Sequence, residues 1–299
     1  MNALQRLSFV IILFAFTLLS NCTPGEQSNL IEEQNWIHGS LDCSVNNDPW
    51  IQVVRFNETT WILRQNKCIN YEAPFMFLFI GTHKALFVDT GATEAEDKFP
   101  LFSVVDSLIQ LSSSKNLSLV VAHSHNHSDH HAGDGQFAGK PNTDVVGLSV
   151  NEVKTFFGIE NWPDDNATFD LGNRILDIIP IPGHEKSSLA FYDRNTRLLL
   201  TGDTFYPGRL YIEDWTAYKK SIAKLMLFTS SHQVSCILGN HIEMSNTAGI
   251  DYPVGMIYQP NEIKLPLKME DLDLLFHALE KLGDTPTRAV YPKFIIYPK

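Results

Sequence analysis

The sequence predicts a mixed α/β (α+β) fold, an αββα sandwich in which two mixed β-sheets pack face to face between outer helices. Three observations support this prediction. Two long segments repeat apolar residues every three or four positions, as amphipathic helices do. A β-then-α order occurs twice, on either side of residue 170. Eight short β-rich segments bounded by turn residues are typical of strands: 51–56, 60–65, 75–80, 85–88, 117–122, 175–181, 189–192 and 198–200.

The predicted elements follow a simple order along the chain. The first four strand segments are close neighbours, with a turn at residues 81–83, so we expect them to form one sheet. A helix is predicted at 102–111, before the strand at 117–122. A second helix at 214–228 presents one apolar face, formed by Trp215, Tyr218, Ile222, Leu225 and Phe228. A C-terminal helix, followed by a strand, has the same pattern at Leu272, Leu275, Phe276, Leu279 and Leu282.

Composition and charge exclude some classes of protein. Of 299 residues, 44% are hydrophobic and 11% aromatic, as in a globular protein with a large core. The net charge of −11 would repel a phosphate backbone, and no basic run offsets it. We therefore expect one catalytic domain over residues 36–299, with a small-molecule substrate and no nucleic-acid partner. The sequence does not define the oligomeric state.

The N-terminus has the layout of an export signal. Arg6 precedes an apolar run at 9–19, about half of the ~20 residues that a membrane-spanning helix needs. The following Leu19-Ser20-Asn21-Cys22 resembles the bacterial lipobox, although Asn21 stands where Gly or Ala is usual. We predict a signal peptide at 1–21 and a lipid-bearing Cys22, which would anchor an exported protein to a bacterial membrane, in the periplasm or at the cell surface. Secretion without a lipid anchor is the alternative.

The segment after Cys22 is predicted to be a tether, and the remaining cysteines suit an oxidising compartment. Residues 22–35 are polar and lack hydrophobic periodicity. Cys43 and Cys68 flank predicted strands and are candidates for a disulfide. Cys236 lies in an apolar stretch and is expected to be buried. None of these three cysteines has metal-ligand spacing.

The segment from His123 to His131 contains five histidines and one aspartate, and it directly follows the predicted strand at 117–122. Residues two apart on an extended strand point the same way, so His125 and His127 can bind one ion together. Asp129 and His130 can then bind a second. Imidazole and carboxylate ligands suit zinc. A solvated histidine-rich loop, or an adventitious nickel or copper site, is the alternative for this segment alone.

Three later segments each place a single candidate ligand just after an apolar strand. These ligands are His184 in Pro182-Gly183-His184, Asp203 in Thr201-Gly202-Asp203-Thr204, and His241 in Leu238-Gly239-Asn240-His241. Each alone is also a common turn sequence. Together they supply the donors that two neighbouring ions need, including an anion able to bridge them.

The combined pattern resembles the metallo-β-lactamase superfamily, in the order and approximate spacing of His125-x-His127-x-Asp129-His130, His184, Asp203 and His241. The resemblance implies the metallo-β-lactamase fold, with His125, His127 and His184 on one metal and Asp129, His130 and His241 on the other. It implies that Asp203 bridges the metals and that Asp89 supports the metal-binding loop without binding metal. His123 and His131 have no assigned role in the family.

The resemblance also implies a function. Two Zn²⁺ ions, or iron or manganese, would activate a bound hydroxide that attacks an ester, thioester or lactone carbonyl. Asp129 would carry the proton to the leaving group. Tyr206 matches a substrate-binding tyrosine of the family's lactonases, or it simply packs beside Phe205 and Pro207. The alternatives are β-lactamase activity, which Asp203 disfavours because β-lactamases of this fold usually carry Cys or Ser there, and a catalytically silent exported metal-binding protein.

Overall fold

The computed structural model describes residues 31–113 and 115–299. The predicted signal peptide, the lipidation site Cys22 and residues 22–30 of the predicted tether lie outside these residues. The described part begins inside the packed fold, because Ile31 is buried in the main core. The last residues of the predicted tether, 31–35, therefore include a core position, which the polar composition around it concealed.

The first sheet contains the four predicted N-terminal strands and two more, in the order β1-β2-β3-β4-β5-β6. The first four strands are antiparallel, whereas β4, β5 and β6 are parallel, so the sheet is mixed. Its strands are β1 Ile51–Asn57, β2 Thr60–Gln65, β3 Phe75–Ile80, β4 Lys84–Val88, β5 Ser118–Ala122 and β6 Thr143–Val145.

The second sheet has five strands in the order β12-β10-β9-β8-β7 and is also mixed, because only β10 and β12 run parallel. A small third sheet, in the order β11-β14-β13, brings the C-terminus beside the middle of the chain. The strands are β7 Ala167–Asp170, β8 Ile175–Pro180, β9 Leu189–Asp193, β10 Leu198–Gly202, β11 Arg209–Ile212, β12 Cys236–Gly239, β13 Ala289–Val290 and β14 Ile295–Pro298.

Five α-helices lie wholly within the described residues, and one 3₁₀ helix, Ala132–Gln136, follows the second of them. The predicted helices at 102–111 and 214–228 are present as α1 and α4, and the C-terminal helix as α5. None of the helices in the described part combines the length and apolar character needed to cross a bilayer. The α-helices are α1 Leu101–Ser112, α2 Ser128–His131, α3 Val150–Phe157, α4 Trp215–Ser231 and α5 Met269–Leu282.

Three buried clusters define the predicted αββα layers. Residues such as Phe77 of the first sheet and Phe191 of the second share one cluster, which is the core between the sheets. The outer face of the first sheet packs against Val105 and its neighbours on α1. The outer face of the second packs against α4 and α5 through residues such as Ile222 and Leu275. The sandwich of two mixed sheets between helices is confirmed.

A disulfide and a buried ion pair hold distant segments together. Cys43 and Cys68 form a disulfide with Cα atoms 5.3 Å apart, while Cys236 is a free, buried thiol. Arg174 makes a two-pronged ion pair with Asp193, at 2.9 and 2.7 Å. The same guanidinium donates to the carbonyl of Thr59 at 2.7 Å. Arg174 therefore joins the second sheet to the β1–β2 turn of the first.

We predict that Arg174→Ala lowers the free energy of unfolding by about 3–5 kcal/mol, because it leaves the carboxylate of Asp193 buried and unpaired. The Arg194–Asp177 pair in the same sheet is the matched control. The Arg194 side chain is 45% exposed, so its removal opens the 8%-exposed carboxylate of Asp177 to water, whereas Asp193 has no exposure. Arg194→Ala should lower stability by at most about 1 kcal/mol. Chemical denaturation of both variants measures the difference, and equal losses would contradict this account.

Candidate metal site

The candidate site forms where four strands end at one edge of the sandwich. The loop after β5 carries the histidine-rich segment, and β8, β10 and β12 lead to His184, Asp203 and His241 respectively. Because β10 and β12 are parallel and Gly202 pairs with Gly239, their next residues emerge side by side. Gly183 permits the close approach of α4, since a Cβ there would lie 2.4 Å from the Cα of Tyr218.

Three histidines form the first group of possible metal ligands. The Nε2 atom of His125 lies 3.0 Å from Nδ1 of His127 and 3.2 Å from Nε2 of His184. The latter two nitrogens are 3.1 Å apart. The nitrogens thus converge on one point. The side chain of His184 is buried and that of His127 is 32% exposed, so solvent reaches this group from the His127 side.

Two histidines and two aspartates form the second group. Oδ2 of Asp129 lies 3.3 Å from the Nε2 atoms of both His130 and His241, which are themselves 3.3 Å apart. Oδ2 of Asp203 is 3.6 Å from His130 and 3.5 Å from His241. The same oxygen is 3.9 Å from Nε2 of His184 in the first group. Asp203 therefore lies between the two groups.

The donor atoms fit divalent cations. The first group has three donor atoms and the second has four, and within each group they lie within 4.8 Å of one another. All are imidazole nitrogens or carboxylate oxygens, which suit zinc. Several nitrogens face each other at hydrogen-bond distance, where at most one proton can lie between each pair. The buried Oδ1 atom of Asp203 has no hydrogen-bond partner, as expected for a carboxylate with a free ligand position.

The electrostatics of the two groups differ. Burial lowers the pKa of His125 well below its usual value, and the nearby imidazoles reinforce this effect, so its ring is a neutral donor. Burial opposes the ionisation of Asp203, but His241 and His130 outweigh it and lower the pKa to about 2. Conversely, burial alone would lower the pKa of His241, whereas Asp203 and Asp129 raise it to about 9. Without a metal, imidazolium protons balance the two carboxylates, and a divalent cation would replace that positive charge.

Hydrogen bonds from the surrounding residues orient the rings. Nδ1 of His184 lies 2.8 Å from the carbonyl oxygen of Tyr211, and Nδ1 of His241 lies 3.0 Å from that of Glu72. Nδ1 of His130 is 3.2 Å from the Asp89 carboxylate. With Nδ1 as the donor, each ring presents the lone pair of Nε2 to the site.

Asp89 has further partners, as well as an unusual backbone conformation. Its carboxylate accepts hydrogen bonds from the backbone N–H of Ser124, at 2.7 Å, and from the side-chain amide of Asn240. It is fully buried, and its φ of 66° lies in the left-handed region, which Asp tolerates better than most residues. No sequence motif marked Asn240, Glu72 or Tyr211 in advance. Glu72 and Tyr211 act through their backbone carbonyls, which residues of every type have.

The remaining sequence candidates lie outside both ligand groups. His123 is buried and hydrogen-bonds through Nε2 to Asp134, at 2.8 Å, and His131 packs edge-on against it. Tyr206 is 1% exposed, and its hydroxyl donates to the carbonyl of Arg209 at 2.6 Å. The hydroxyl of Tyr206 is therefore already hydrogen-bonded and is not free to bind a substrate. The structure favours the packing alternative for this residue.

Comparison with known proteins identifies the class. The sequence-family model of the metallo-β-lactamase superfamily matches residues 72–292, and the chain belongs to that superfamily. Two solved structures show the same fold at 15% identity: metallo-β-lactamases from Pontibacter korlensis and Erythrobacter litoralis, with TM-scores of 0.50 and 0.51. They cover 77% and 79% of this chain, and each match spans 99% of the other chain.

Curated relatives are hydrolases that match over shorter stretches. Hydroxyacylglutathione hydrolase of Brucella anthropi is 27% identical over 115 residues, 38% of this chain and 44% of that protein. Human acyl-coenzyme A thioesterase MBLAC2 is 34% identical over 56 residues, 19% of each chain. The chain thus matches less than half the length of these two relatives.

We predict that Tyr206→Phe leaves the metal content and the Michaelis constant unchanged but lowers the free energy of unfolding by about 1–2 kcal/mol. The reason is that the phenol hydroxyl hydrogen-bonds to the carbonyl of buried Arg209 and to the carboxylate of partly buried Glu243, and so is not available to a substrate. Elemental analysis, denaturation and steady-state kinetics measure these quantities. A Michaelis constant raised tenfold or more would restore the substrate-binding role.

Proposed function

We propose that this chain binds two divalent cations, with zinc as the natural occupant, and hydrolyses an acyl thioester, ester or lactone. The observation that carries this proposal is the complete set of seven converging donors, with the carboxylate of Asp203 between the two groups. A degenerate, silent metal-binding protein would be expected to lack one or more of these donors.

The ligand assignment follows the two groups. His125, His127 and His184 would hold one ion, Asp129, His130 and His241 the other, and Asp203 would contact both. Such ions supply a water of pKa about 7 and polarise an acyl carbonyl. Iron or manganese would be compatible with the same oxygen and nitrogen donors.

The chain's own residues define the direction of approach and a proton path. His127 and Asp129 have the most exposed side chains of the two groups, 32% and 20%, so substrate would approach from their side. Burial opposes ionisation of Asp129, but His130 and His241 lower its pKa well below the usual range. Asp129 is therefore ionised, and the position of its carboxylate at the open face is what supports the proposed transfer of a proton to the leaving group.

Two observations favour an acyl carrier substrate over a β-lactam. The relatives' names describe hydrolysis of acyl-coenzyme A and of hydroxyacylglutathione, both acyl groups on thiol carriers. Asp203 occupies the place where β-lactamases of this fold usually carry Cys or Ser. The likeness to solved β-lactamases concerns the fold alone and does not outweigh the carboxylate.

We also propose export, with a lipid anchor at Cys22 as the means of membrane attachment. The disulfide between Cys43 and Cys68 supports this location, because disulfides persist in the periplasm and at cell surfaces and are rare in the cytosol of most organisms. Both cysteines follow the predicted signal peptide in the sequence, so both would be exported with the domain.

The function is tested by zinc analysis of the purified full-length protein, combined with hydrolysis assays on thioester, ester, lactone, β-lactam and phosphodiester substrates. We expect about two metal ions per chain and turnover of one of the first three classes, lost on chelation and restored by zinc. Two bound ions without turnover of any substrate would support the silent metal-binding alternative instead.

We predict that Asp203→Ala lowers the bound metal from two ions towards one and abolishes hydrolysis, because both groups lose a shared anionic ligand. Asp134→Ala is the matched control. Its carboxylate is also near the site but bonds His123 and Thr90, outside both groups. This control should retain both ions. Two ions retained in Asp203→Ala would refute the bridging assignment.

A further inference from the structure

His184 and His241, which follow apolar strands of the second sheet, are each oriented by a backbone carbonyl. One carbonyl belongs to a strand and the other to a loop. The carbonyl that accepts from His184 belongs to Tyr211, inside strand β11. The carbonyl that accepts from His241 belongs to Glu72, in the irregular segment 66–74 between β2 and β3. A strand carbonyl is fixed by its sheet, whereas a loop carbonyl needs another support.

Several contacts support this segment, named here the 66–74 loop. Its first residue, Asn66, donates to the carbonyls of Trp50 and Pro49, and the side chain of Asn70 accepts from the N–H of Glu72 at 3.0 Å.

Three further contacts involve residues 67–70. The buried ammonium of Lys67 donates to the carbonyl of Tyr71 at 3.3 Å. The side-chain amide of Asn70 donates to the carbonyl of Ala92 at 2.8 Å. The third contact is covalent, the disulfide from Cys68 to Cys43. It lies four residues from Glu72 along the chain.

The far end of the disulfide is itself anchored. Gly39, four residues before Cys43, forms a β-bridge with Tyr258, and the N–H of Gln259 donates to the carbonyl of His38 at 2.9 Å. The cross-link therefore ties the 66–74 loop to a segment that is already paired with the C-terminal half of the domain.

We propose that the Cys43–Cys68 disulfide is a positioning element for His241 and sets the affinity of the second ion selectively. The inference rests on the proposed function for its two-ion site. The disulfide holds the 66–74 loop so that the Glu72 carbonyl accepts the Nδ1 proton of His241. That hydrogen bond keeps the proton on Nδ1 and leaves the lone pair of Nε2 facing Asp129 and Asp203.

The first ion should not depend on the disulfide. Its ligands are oriented by the strand carbonyl of Tyr211 and by the hydroxyl of Ser124, 3.0 Å from Nδ1 of His125. Neither belongs to the 66–74 loop. The ring of His241 also packs against Tyr206, with ring centroids 5.8 Å apart, so it stays in place when the loop loosens but loses its fixed tautomer. Such losses of an outer hydrogen bond typically weaken metal binding 10–100-fold.

The test uses the full-length protein with Cys43→Ser and Cys68→Ser combined, titrated with zinc against a chromophoric chelator. We expect one of the two dissociation constants to rise by about 10–100-fold while the other changes less than about twofold. Cys236→Ser is the control for the loss of a cysteine, because it replaces a free, buried thiol at the start of β12, outside the 66–74 loop. It should leave both constants unchanged even if the melting temperature falls.

Equal weakening of both ions, or no change in either, would overturn the inference, since a purely structural disulfide would act on both sites alike. If the double serine variant does not fold, Asn70→Ala loosens the same loop with the disulfide intact and should show the same selective effect in smaller measure. A wild-type protein that binds two ions but hydrolyses none of the tested substrates would refute the proposed function and still decide the role of the disulfide. A wild type that binds fewer than two ions would overturn both.

Discussion

The carboxylate of Asp89 is the interaction on which the arrangement of the site depends. It follows β4 and bonds the N–H of Ser124, the ring of His130 and the amide of Asn240. Ser124 and His130 lie in the segment that follows β5 of the first sheet, and Asn240 follows β12 of the second. An anion without exposure to water needs such donors to remain buried, and the donors in turn fix the two loops relative to each other.

The sandwich explains why seven donors from four loops can meet. Each loop begins at the carboxyl end of a strand, and the parallel pairing of β10 with β12 places two of these ends side by side. The two sheets share one apolar core, so the edge where these strands end is rigid. Ligand side chains on short loops above a rigid edge are pre-organised, as a catalytic metal site requires.

The fold and the positions of the candidate donors were predictable because both depend on local patterns. Strands such as β3 are continuous apolar runs, and the seven side chains singled out from the sequence are those that the structure brings together. The third sheet was not predicted, because β11, β13 and β14 are short and their pairing depends on a distant contact between chain segments. Likewise, the burial of Ile31 and the contact of the Tyr206 hydroxyl with Glu243 are set by tertiary packing. The Glu72 carbonyl that orients His241 is a backbone atom, and no residue pattern could reveal it.

The most direct test of the two-ion account is anomalous X-ray diffraction from crystals of the zinc-loaded protein, measured at the zinc absorption edge. The account predicts two peaks about 3.5–4 Å apart. One should lie among His125, His127 and His184, and the other among Asp129, His130 and His241, with Asp203 between them. A single peak, or peaks bound to other residues, would contradict it.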